Sequence, residues 1–247
     1  MHEKLKIIAR TFKTTILIGM LIFLGIMVKE YSIHIGLFEN FEVQIKGNQF
    51  VSTSRIVKEL TPYMTLSLLS LNLDDIQDGL SSLDFIETVQ ISRLLPNILM
   101  IQIVERQPIS LITIENENFL MDDNGILLPA DGSSISFFPV PIITISNEIE
   151  NADGITGDIA GVFQFLLNDY PLFYDNLSEV IIGEEKWIFY SDSKTRVFTK
   201  SKNLFNQLNI LKNFEKTVYP NRRLDDYSYI DLRIEEQIVV KEKYRKG

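Results

Sequence analysis

The fold of the chain's second half is decided by its last strand-forming stretch, SYIDLRIEEQIVVKEK, Ser228 to Lys243. Its apolar residues alternate as in two short β-strands joined by a turn at Glu235-Glu236. The apolar positions are Tyr229, Leu232, Ile234, Ile238, Val239 and Val240. The sequence ends with the charged tail KYRKG. We therefore predict a final edge strand whose backbone N–H and C=O groups are open to pairing by another chain.

The composition is that of a folded protein with room for about two modest domains. The chain has 247 residues, of which 45% are hydrophobic and 23% are charged. It contains no cysteine, which excludes disulfides, thiolate metal sites and thiol catalysis. Its two histidines, His2 and His34, flank the first apolar segment and have no partner for chemistry. Since Gly-x-Ser-x-Gly and phosphate-binding Gly-rich loops are also missing, we expect no catalytic residue, no metal ion and no cofactor.

Charge is distributed unevenly along the chain. The formal net charge is −9, but residues 1–13 carry a local charge of +3, which leaves −12 for the remaining residues. The charged residues of this first segment are Glu3, Lys4, Lys6, Arg10 and Lys13. Because an acidic surface repels phosphate backbones, this balance disfavours nucleic-acid binding.

A membrane anchor is predicted between Lys13 and Lys29. The segment TTILIGMLIFLGIMV, residues 14–28, has no charge, and nine of its 15 residues are Ile, Leu, Phe or Val. Each of these nine favours insertion by roughly 0.3 to 0.6 kcal/mol. Because the run is short for a bilayer core, a spanning helix must extend into Thr11-Phe12 and into residues 31–35. Residues 14–35 are therefore predicted to form the anchor and a short linker.

Two other interpretations of this segment compete with the anchor. A cleaved signal peptide has the same basic start, but the end of the segment, Gly-Ile-Met-Val-Lys-Glu, lacks the small residues of a cleavage site. A buried core helix would carry a polar stripe, which this segment does not. For an uncleaved anchor, the positive-inside rule places residues 1–13 in the cytoplasm as a tail. The protein is then a single-pass, type II protein of the cell (inner) membrane, with its bulk extracytoplasmic (periplasmic).

Short alternating segments begin at Phe41 and predict a small α+β domain. The strand FEVQIKG, residues 41–47, precedes two helices, and the strands IETVQISR (86–93) and ILMIQIVER (98–106) follow them, joined by the turn LLPN. The candidate helix caps and inward helix residues are Ser52, Ile56, Val57, Leu60, Asn72 or Asp74, Leu73, Ile76, Leu80 and Leu83. Glu105 and Arg106 are expected to be solvated or paired. The order β-α-α-β-β predicts two helices on one face of a three-stranded sheet.

Beyond Pro108 the pattern predicts a larger, mostly antiparallel β domain with flanking helices. LITIEN (111–116) and NFLMDDNGILLPA (118–130) form a hairpin-like pair with Asp123-Asn124-Gly125 as its turn. The calcium-loop spacing fails around this acidic cluster, so a turn is favoured over a metal site. After the linker SNEIENADGITG (146–157), one helix is predicted from Asp158 and another from about Ser201. Their inward residues are Ile159, Val162, Phe163, Leu166, Leu167 and Tyr170, then Leu204, Phe205, Leu208, Leu211 and Phe214.

Several short motifs occur together in this order. They are Ile45-Lys46-Gly47, SLLSLNL before the second helix, Ile91-x-Arg93, Pro96-Asn97, Glu105-Arg106-x-Pro108 and Tyr229-Ile230-Asp231-Leu232-Arg233. Together they resemble the POTRA domain and terminal strand of the FtsQ/DivIB family of bacterial cell-division proteins. One departure is Thr199-Lys200, where members of the family often have Gly-Arg. The resemblance implies a POTRA domain at 40–108, an FtsQ-type β domain at 109–243 and a tail at 244–247.

The resemblance also implies a function. The chain would be a non-catalytic bitopic scaffold of the divisome, linking early and late division proteins at the septum. Its partners would be FtsB/DivIC-type and FtsL-type coiled-coil membrane proteins, with other divisome proteins contacting the POTRA domain and the transmembrane helix. We predict that a partner strand pairs along the terminal edge by β-augmentation. The predicted partner-binding residues are Tyr229, Arg233, Gln237, Ile238, Val239, Val240 and Lys241.

Two alternatives stay open at this point. Within the chain, Asp231 and Arg233 could simply pair with each other across the strand, and Tyr229 and Leu232 could be core residues. An anchored extracytoplasmic sensor or ligand-binding protein would instead have a concave pocket with convergent polar groups.

Overall fold

The computed structural model describes residues 2–36, 38–114, 117–146 and 155–244. Most of the linker predicted at 146–157, and all of the predicted tail except Tyr244, lie outside these ranges. The chain divides into two compact units, Met1–Glu105 and Arg106–Gly247. Each unit is described separately below.

The first unit begins with one long helix, α1, His2–His34. Within α1, the 21 residues Phe12–Ser32 have a mean hydropathy of 1.8, and none of the segment is buried. At 1.5 Å per residue, a helix of this length spans about 30 Å, the thickness of a bilayer's hydrocarbon core. By length and composition this segment is sufficient to cross a membrane.

The rest of this unit is a three-stranded sheet with two helices. The elements are β1 Glu42–Lys46, α2 Thr53–Leu60, α3 Leu73–Ser81, β2 Ile86–Leu94 and β3 Ile98–Glu105. The sheet order is β1-β3-β2, with β3 parallel to β1 and antiparallel to β2. The predicted β-α-α-β-β order is confirmed.

Both helices begin at capped residues. The side chain of Ser52 accepts a hydrogen bond from the Arg55 N–H, and that of Asn72 accepts one from the Asp74 N–H. Asn72, rather than Asp74, is therefore the cap of α3. Val57 was predicted to face inward but is 37% exposed, because Ile56 and Leu60, four residues apart, already occupy the buried face of α2.

A buried carboxylate at the end of β3 binds the loop before α2. Glu105, at the end of β3, accepts hydrogen bonds from the backbone N–H groups of Gln49, Phe50 and Val51 at 3.0, 2.9 and 2.8 Å. Only 6% of the surface of Glu105 is exposed to solvent. Glu105 therefore satisfies the donors of the loop before α2, and it is paired rather than solvated.

The second unit is built on a nine-stranded mixed sheet. Its strands are β4 Pro108–Ile114, β5 Glu117–Asp122, β6 Leu127–Pro129, β7 Ile142–Ile145, β8 Leu177–Ile182, β9 Lys186–Ser191, β10 Arg196–Lys200, β11 Tyr227–Asp231 and β12 Val239–Glu242. The order across the sheet is β12-β11-β10-β9-β8-β7-β4-β5-β6. Five of the eight strand pairs are antiparallel, as the sequence predicted. The other three, β4 with β7, β7 with β8 and β10 with β11, are parallel.

Four helices accompany this sheet. They are α4 Gly132–Phe137, α5 Ile155–Asp169, α6 Pro171–Asp175 and α7 Leu204–Val218. One core cluster joins α5, α6 and α7 to alternate residues of the strands, with Phe163 and Phe189 fully buried. Trp187 belongs to this core.

Four details of the second unit differ from the predictions. The turn at Asp123-Asn124-Gly125 joins β5 to β6 rather than β4 to β5, because the Asp122 carboxylate accepts the N–H groups of Asn124 and Ile126. Asp158 lies inside the first turn of α5 instead of capping it. Leu167 is only partly buried. Phe205 is 49% exposed and contacts the ring of Phe165 edge-on at 5.8 Å.

Candidate partner-binding site

The last strand, β12, pairs with β11 alone. It stands at the end of the sheet order, so within the part of the chain that the structure describes no strand lies on its outer side. The predicted strand 237–241 is displaced by two residues at its start: Gln237 and Ile238 precede β12. The reason is the turn before them, where Glu236 has a φ of 59° and the Gln237 N–H points back to the Ile234 oxygen at 3.4 Å. Ile234 is consequently 48% exposed rather than part of a strand.

The register determines which backbone groups face outward. The Leu232 N–H donates to the Phe198 oxygen at 2.9 Å, so the backbone groups of Leu232 and Ile230 face β10. Because a strand alternates, those of Tyr229 and Asp231 face β12, where they are opposite Lys241 and Val239. The outward N–H and C=O groups of β12 are therefore those of Val240 and Glu242. The Lys243 N–H, which donates inward to the Asp226 oxygen at 2.8 Å, agrees with this alternation.

The predicted partner-binding side chains lie on two different faces of the sheet. Cross-strand partners share a face, so Tyr229, Val239 and Lys241 lie together on one face. Val240 lies on the opposite face and is 38% exposed. Ile238 packs partly against the core of the unit. The structure thus brings these residues to one edge of the sheet without giving them one common side-chain surface.

Arg233 is engaged within its own chain. Its Nε and Nη2 donate to the two carboxylate oxygens of Asp231 at 2.9 and 2.7 Å. Its guanidinium also lies 5.1 Å from the centre of the Phe198 ring, whose edge-on neighbour is Tyr229. The hydrogen bonds from Arg233 hold the pKa of Asp231 below its usual value, and those to Asp231 raise the pKa of Arg233. This is the internal pairing that the sequence left open.

Two residues near this edge were missed from the sequence. Gln207, in α7, is 6% exposed and donates to the Leu232 oxygen at 2.8 Å. Lys243 directs its ammonium group toward residues 193, 195 and 225. No local pattern could have identified either residue, because their partners lie 18 to 50 positions away in the sequence.

Acidic side chains are possible ligands for a metal ion. Within the described ranges, no group of three or more His, Cys, Asp or Glu side chains could hold a metal ion. The carboxylate of Asp122 is already bonded by Arg106 at 2.9 Å and by two backbone N–H groups. It therefore closes the β5–β6 turn.

One concave site lies on the helix side of the second unit. It is a cavity of about 680 Å³ between α6, α7 and the sheet, with Phe173 and Val197 in its lining. Two of the acids that line it are bonded to hydroxyl groups of the chain: Glu215 by Tyr170 and Asp225 by Ser193. Burial, and then Glu215, raise the pKa of Tyr170 well above its usual value. Glu215 and Asp225 are therefore engaged within the chain.

Comparison with known proteins agrees with this architecture. The family described as "POTRA domain, FtsQ-type" matches residues 41–106. The cell division protein FtsQ of Rickettsia bellii is 27% identical over 209 residues, covering 84% of this chain and 73% of that protein. FtsQ of Rickettsia conorii is 30% identical over 151 residues, covering 61% of this chain and 53%, about half, of that protein. The cell division protein DivIB of Clostridium acetobutylicum is 28% identical over 86 residues, 35% of this chain and 34% of that protein.

A solved structure also shows some likeness. It is the major extracytoplasmic domain of the trans isomer of DivIB from Geobacillus stearothermophilus, 17% identical, with a TM-score of 0.33. The match covers 48% of this chain and 98% of that one. The fold described above does not rest on this likeness.

Residues 41–106 of this chain match the FtsQ-type POTRA domain, and the chain is similar over most of its length to the cell division protein FtsQ of Rickettsia bellii.

Proposed function

We propose that this chain is a non-catalytic scaffold of the bacterial division machinery, which links early and late division proteins at the septum. The similarity to FtsQ and DivIB cell division proteins supports the division role. The sequence, which has no cysteine and no Gly-x-Ser-x-Gly motif, favours a scaffold over an enzyme. The scaffold is a single-pass protein anchored by α1, with residues 1–13 in the cytoplasm and the POTRA domain and the second unit outside it. The basic residues of that first segment support this orientation.

The scaffold binds a partner strand along the outer edge of β12. The observation that carries this proposal is the position of β12, which has a strand on one side only. The N–H and C=O groups of Val240 and the N–H of Glu242 offer three hydrogen bonds to an added strand, while the Glu242 C=O already accepts one from the Ser228 Oγ at 3.4 Å. At roughly 0.5 to 1.5 kcal/mol net for each bond, these three contribute about 1.5 to 4.5 kcal/mol before side-chain contacts. Such an interaction is specific and reversible.

The partners are FtsB/DivIC-type and FtsL-type membrane proteins, as the family resemblance implies. Tyr229, Val239 and Lys241 would contact the partner from one face of the sheet, and Val240 from the other. Arg233 would contact it only at the expense of its bonds to Asp231. Other division proteins bind the POTRA domain, here residues 40–108, and the transmembrane helix. Two of the acids that line the cavity near Phe173 are bonded to hydroxyl groups of the chain, which favours the scaffold over a ligand sensor.

The edge proposal is tested by proline substitution at two neighbouring positions. Val240→Pro removes an outward N–H and leaves the donors to β11 in place, so we expect about five- to tenfold weaker binding of an FtsB/DivIC-type partner. Val240→Thr keeps the N–H and should bind normally. Val239→Pro removes an inward donor and should loosen β12 itself. The assay is titration of the partner onto the full chain in detergent micelles, with hydrogen exchange of β11 as the folding control. Normal partner binding by a folded Val240→Pro variant would refute the proposal.

A further inference from the structure

The last strand has few side-chain contacts of its own. Of the four residues of β12, Val239 is half-buried and the other three are exposed. Before the strand, Ile238 packs partly against the core. A four-residue edge strand with so little burial belongs to the least stable part of a fold, since the ladder to β11 must hold it almost alone. The strand therefore needs an additional attachment at its other end.

Lys243, directly after β12, provides that attachment. Its Nζ donates to the backbone oxygen of Ser193 at 2.6 Å, to the backbone oxygen of Asp225 at 2.8 Å and to the Thr195 Oγ1 at 3.2 Å. A lysine ammonium has three N–H donors, and these three acceptors use all of them. Lys243 has no carboxylate partner within the described residues, so its charge is directed entirely at oxygen dipoles.

The acceptors belong to two separate segments. Ser193 lies in the turn between β9 and β10, and Asp225 lies in the 3-10 turn Leu224–Asp226 that leads into β11. Thr195 joins the two segments, because its buried hydroxyl lies 2.8 Å from the Tyr227 oxygen. The ammonium of Lys243 thus ties the end of β12 to the turns at the same end of β9, β10 and β11.

We propose that Lys243 is a positioning residue that fixes the last strand at the edge of the sheet. By holding the strand, it also sets how readily the outer edge accepts a partner strand. This second part rests on the proposed function, while the first concerns only the fold of the chain. When the edge strand is frayed, its ordering costs conformational entropy, and this cost reduces the free energy of partner binding. Release of Lys243 therefore weakens binding without removing any contact to the partner.

The first test is hydrogen exchange of the full chain in detergent micelles. Lys243→Met keeps the side-chain length and removes the three donors. We expect the amides of Val239 and Lys241 to exchange about tenfold faster or more. The reason is that all three hydrogen bonds from the charged ammonium of Lys243 are lost, so that β12 opens more often. Lys241→Met is the matched control, since Lys241 is exposed on the same strand, and it should leave exchange unchanged. Amides of the central strand β8 should be unaffected in both variants.

The outcomes separate the two proposals. Unchanged exchange in Lys243→Met would overturn the positioning role, and so would faster exchange in every strand, which marks general destabilisation. Faster exchange confined to β11 and β12, together with about fivefold weaker binding of an FtsB/DivIC-type partner, supports it. If Lys243→Met frees the strand while a folded Val240→Pro variant still binds normally, the edge proposal fails and the role of Lys243 in the fold stands.

Discussion

Gly47 has no side chain, and a Cβ added there would lie 2.0 Å from the carbonyl oxygen of Ile103. Its φ of 91° is also in the region that favours glycine. Two other motif residues of the POTRA domain have equally specific contacts. Arg93 donates from Nε to the Leu68 oxygen at 2.8 Å, which fixes the SLLSLNL loop, and Glu105 closes the loop before α2. The motif residues are therefore those that hold the loops of this domain.

Gly47→Ala should destabilise the first unit by about 2 kcal/mol or more, because both the backbone conformation and the approach of Ile103 oppose a side chain. Gly79→Ala is the matched control. Gly79 lies in α3, where a Cβ meets nothing within 4 Å, so alanine should be neutral or stabilise by about 0.5 to 1 kcal/mol. Hydrogen exchange of the β3 amides measures both effects. Equal exchange in the two variants would contradict this account of Gly47.

Local rules predicted single residues well where the cause was local. The caps Ser52 and Asn72 followed from the sequence pattern. Glu105 was expected to be solvated or paired, but its burial could not be foreseen, because its donors lie more than 50 residues earlier in the chain. The contacts of Lys243 could not be foreseen either, because its acceptors lie 18 to 50 positions earlier in the chain.

At the scale of the element, β11 and the turn after it depend on the pairing of Asp231 with Arg233. The pair fixes the chain as it leaves the strand, and a further bond runs from the Arg233 N–H to the Asp231 carboxylate at 3.0 Å. The pair is partly exposed, with side-chain exposures of 39% for Arg233 and 16% for Asp231, so its contribution is modest.

This pairing makes stability depend on pH. Because the bonds from Arg233 lower the folded-state pKa of Asp231, the stabilisation is present above the ordinary pKa of 3.8 and is lost as the pH falls through the lowered pKa. We expect Asp231→Asn to cost up to about 1 kcal/mol at pH 7 and nothing once the wild-type carboxylate is protonated. Hydrogen exchange of β11 from pH 7 to pH 3, corrected for intrinsic rates, tests this. Asp192→Asn, at an exposed residue, should show no such convergence.

Periodicity predicted the long elements and missed the short ones. The amphipathic faces of α5 and α7 were visible because they extend over several turns. The helices α4 and α6 have six and five residues, too few to show a helical period. The strand at 239–242 was predicted two residues early, since alternation alone does not reveal the left-handed turn at Glu236.

At the scale of the whole molecule, the anchor and the order of parts could be predicted, but the sheet topology could not. Strands β10 and β11 are parallel neighbours although α7 separates them, and β4 pairs with β7 across two intervening strands. Such pairings depend on the packing of helices against the sheet, which the sequence pattern of each strand does not contain. The open terminal edge was predicted from the alternation of apolar residues in the stretch from Ser228 to Lys243.

The orientation of the chain has a direct test. A periplasm-dependent reporter enzyme such as alkaline phosphatase should be active when fused after residue 244 and inactive when fused before residue 1. The physical reason is the basic segment ahead of α1, which favours the cytoplasmic side. Replacing Lys4, Lys6 and Arg10 by Glu should raise the fraction of chains in the opposite orientation. Equal activity of both wild-type fusions would contradict the predicted topology.

The two edge strands of the nine-stranded sheet, β12 and β6, differ in the backbone groups that they can offer to an added strand. The strand β6 has three residues, and one of them, Pro129, has no N–H. If a partner strand pairs with β12 as proposed, we expect a complex with one partner strand for each copy of the chain, because β6 is the poorer edge for strand addition.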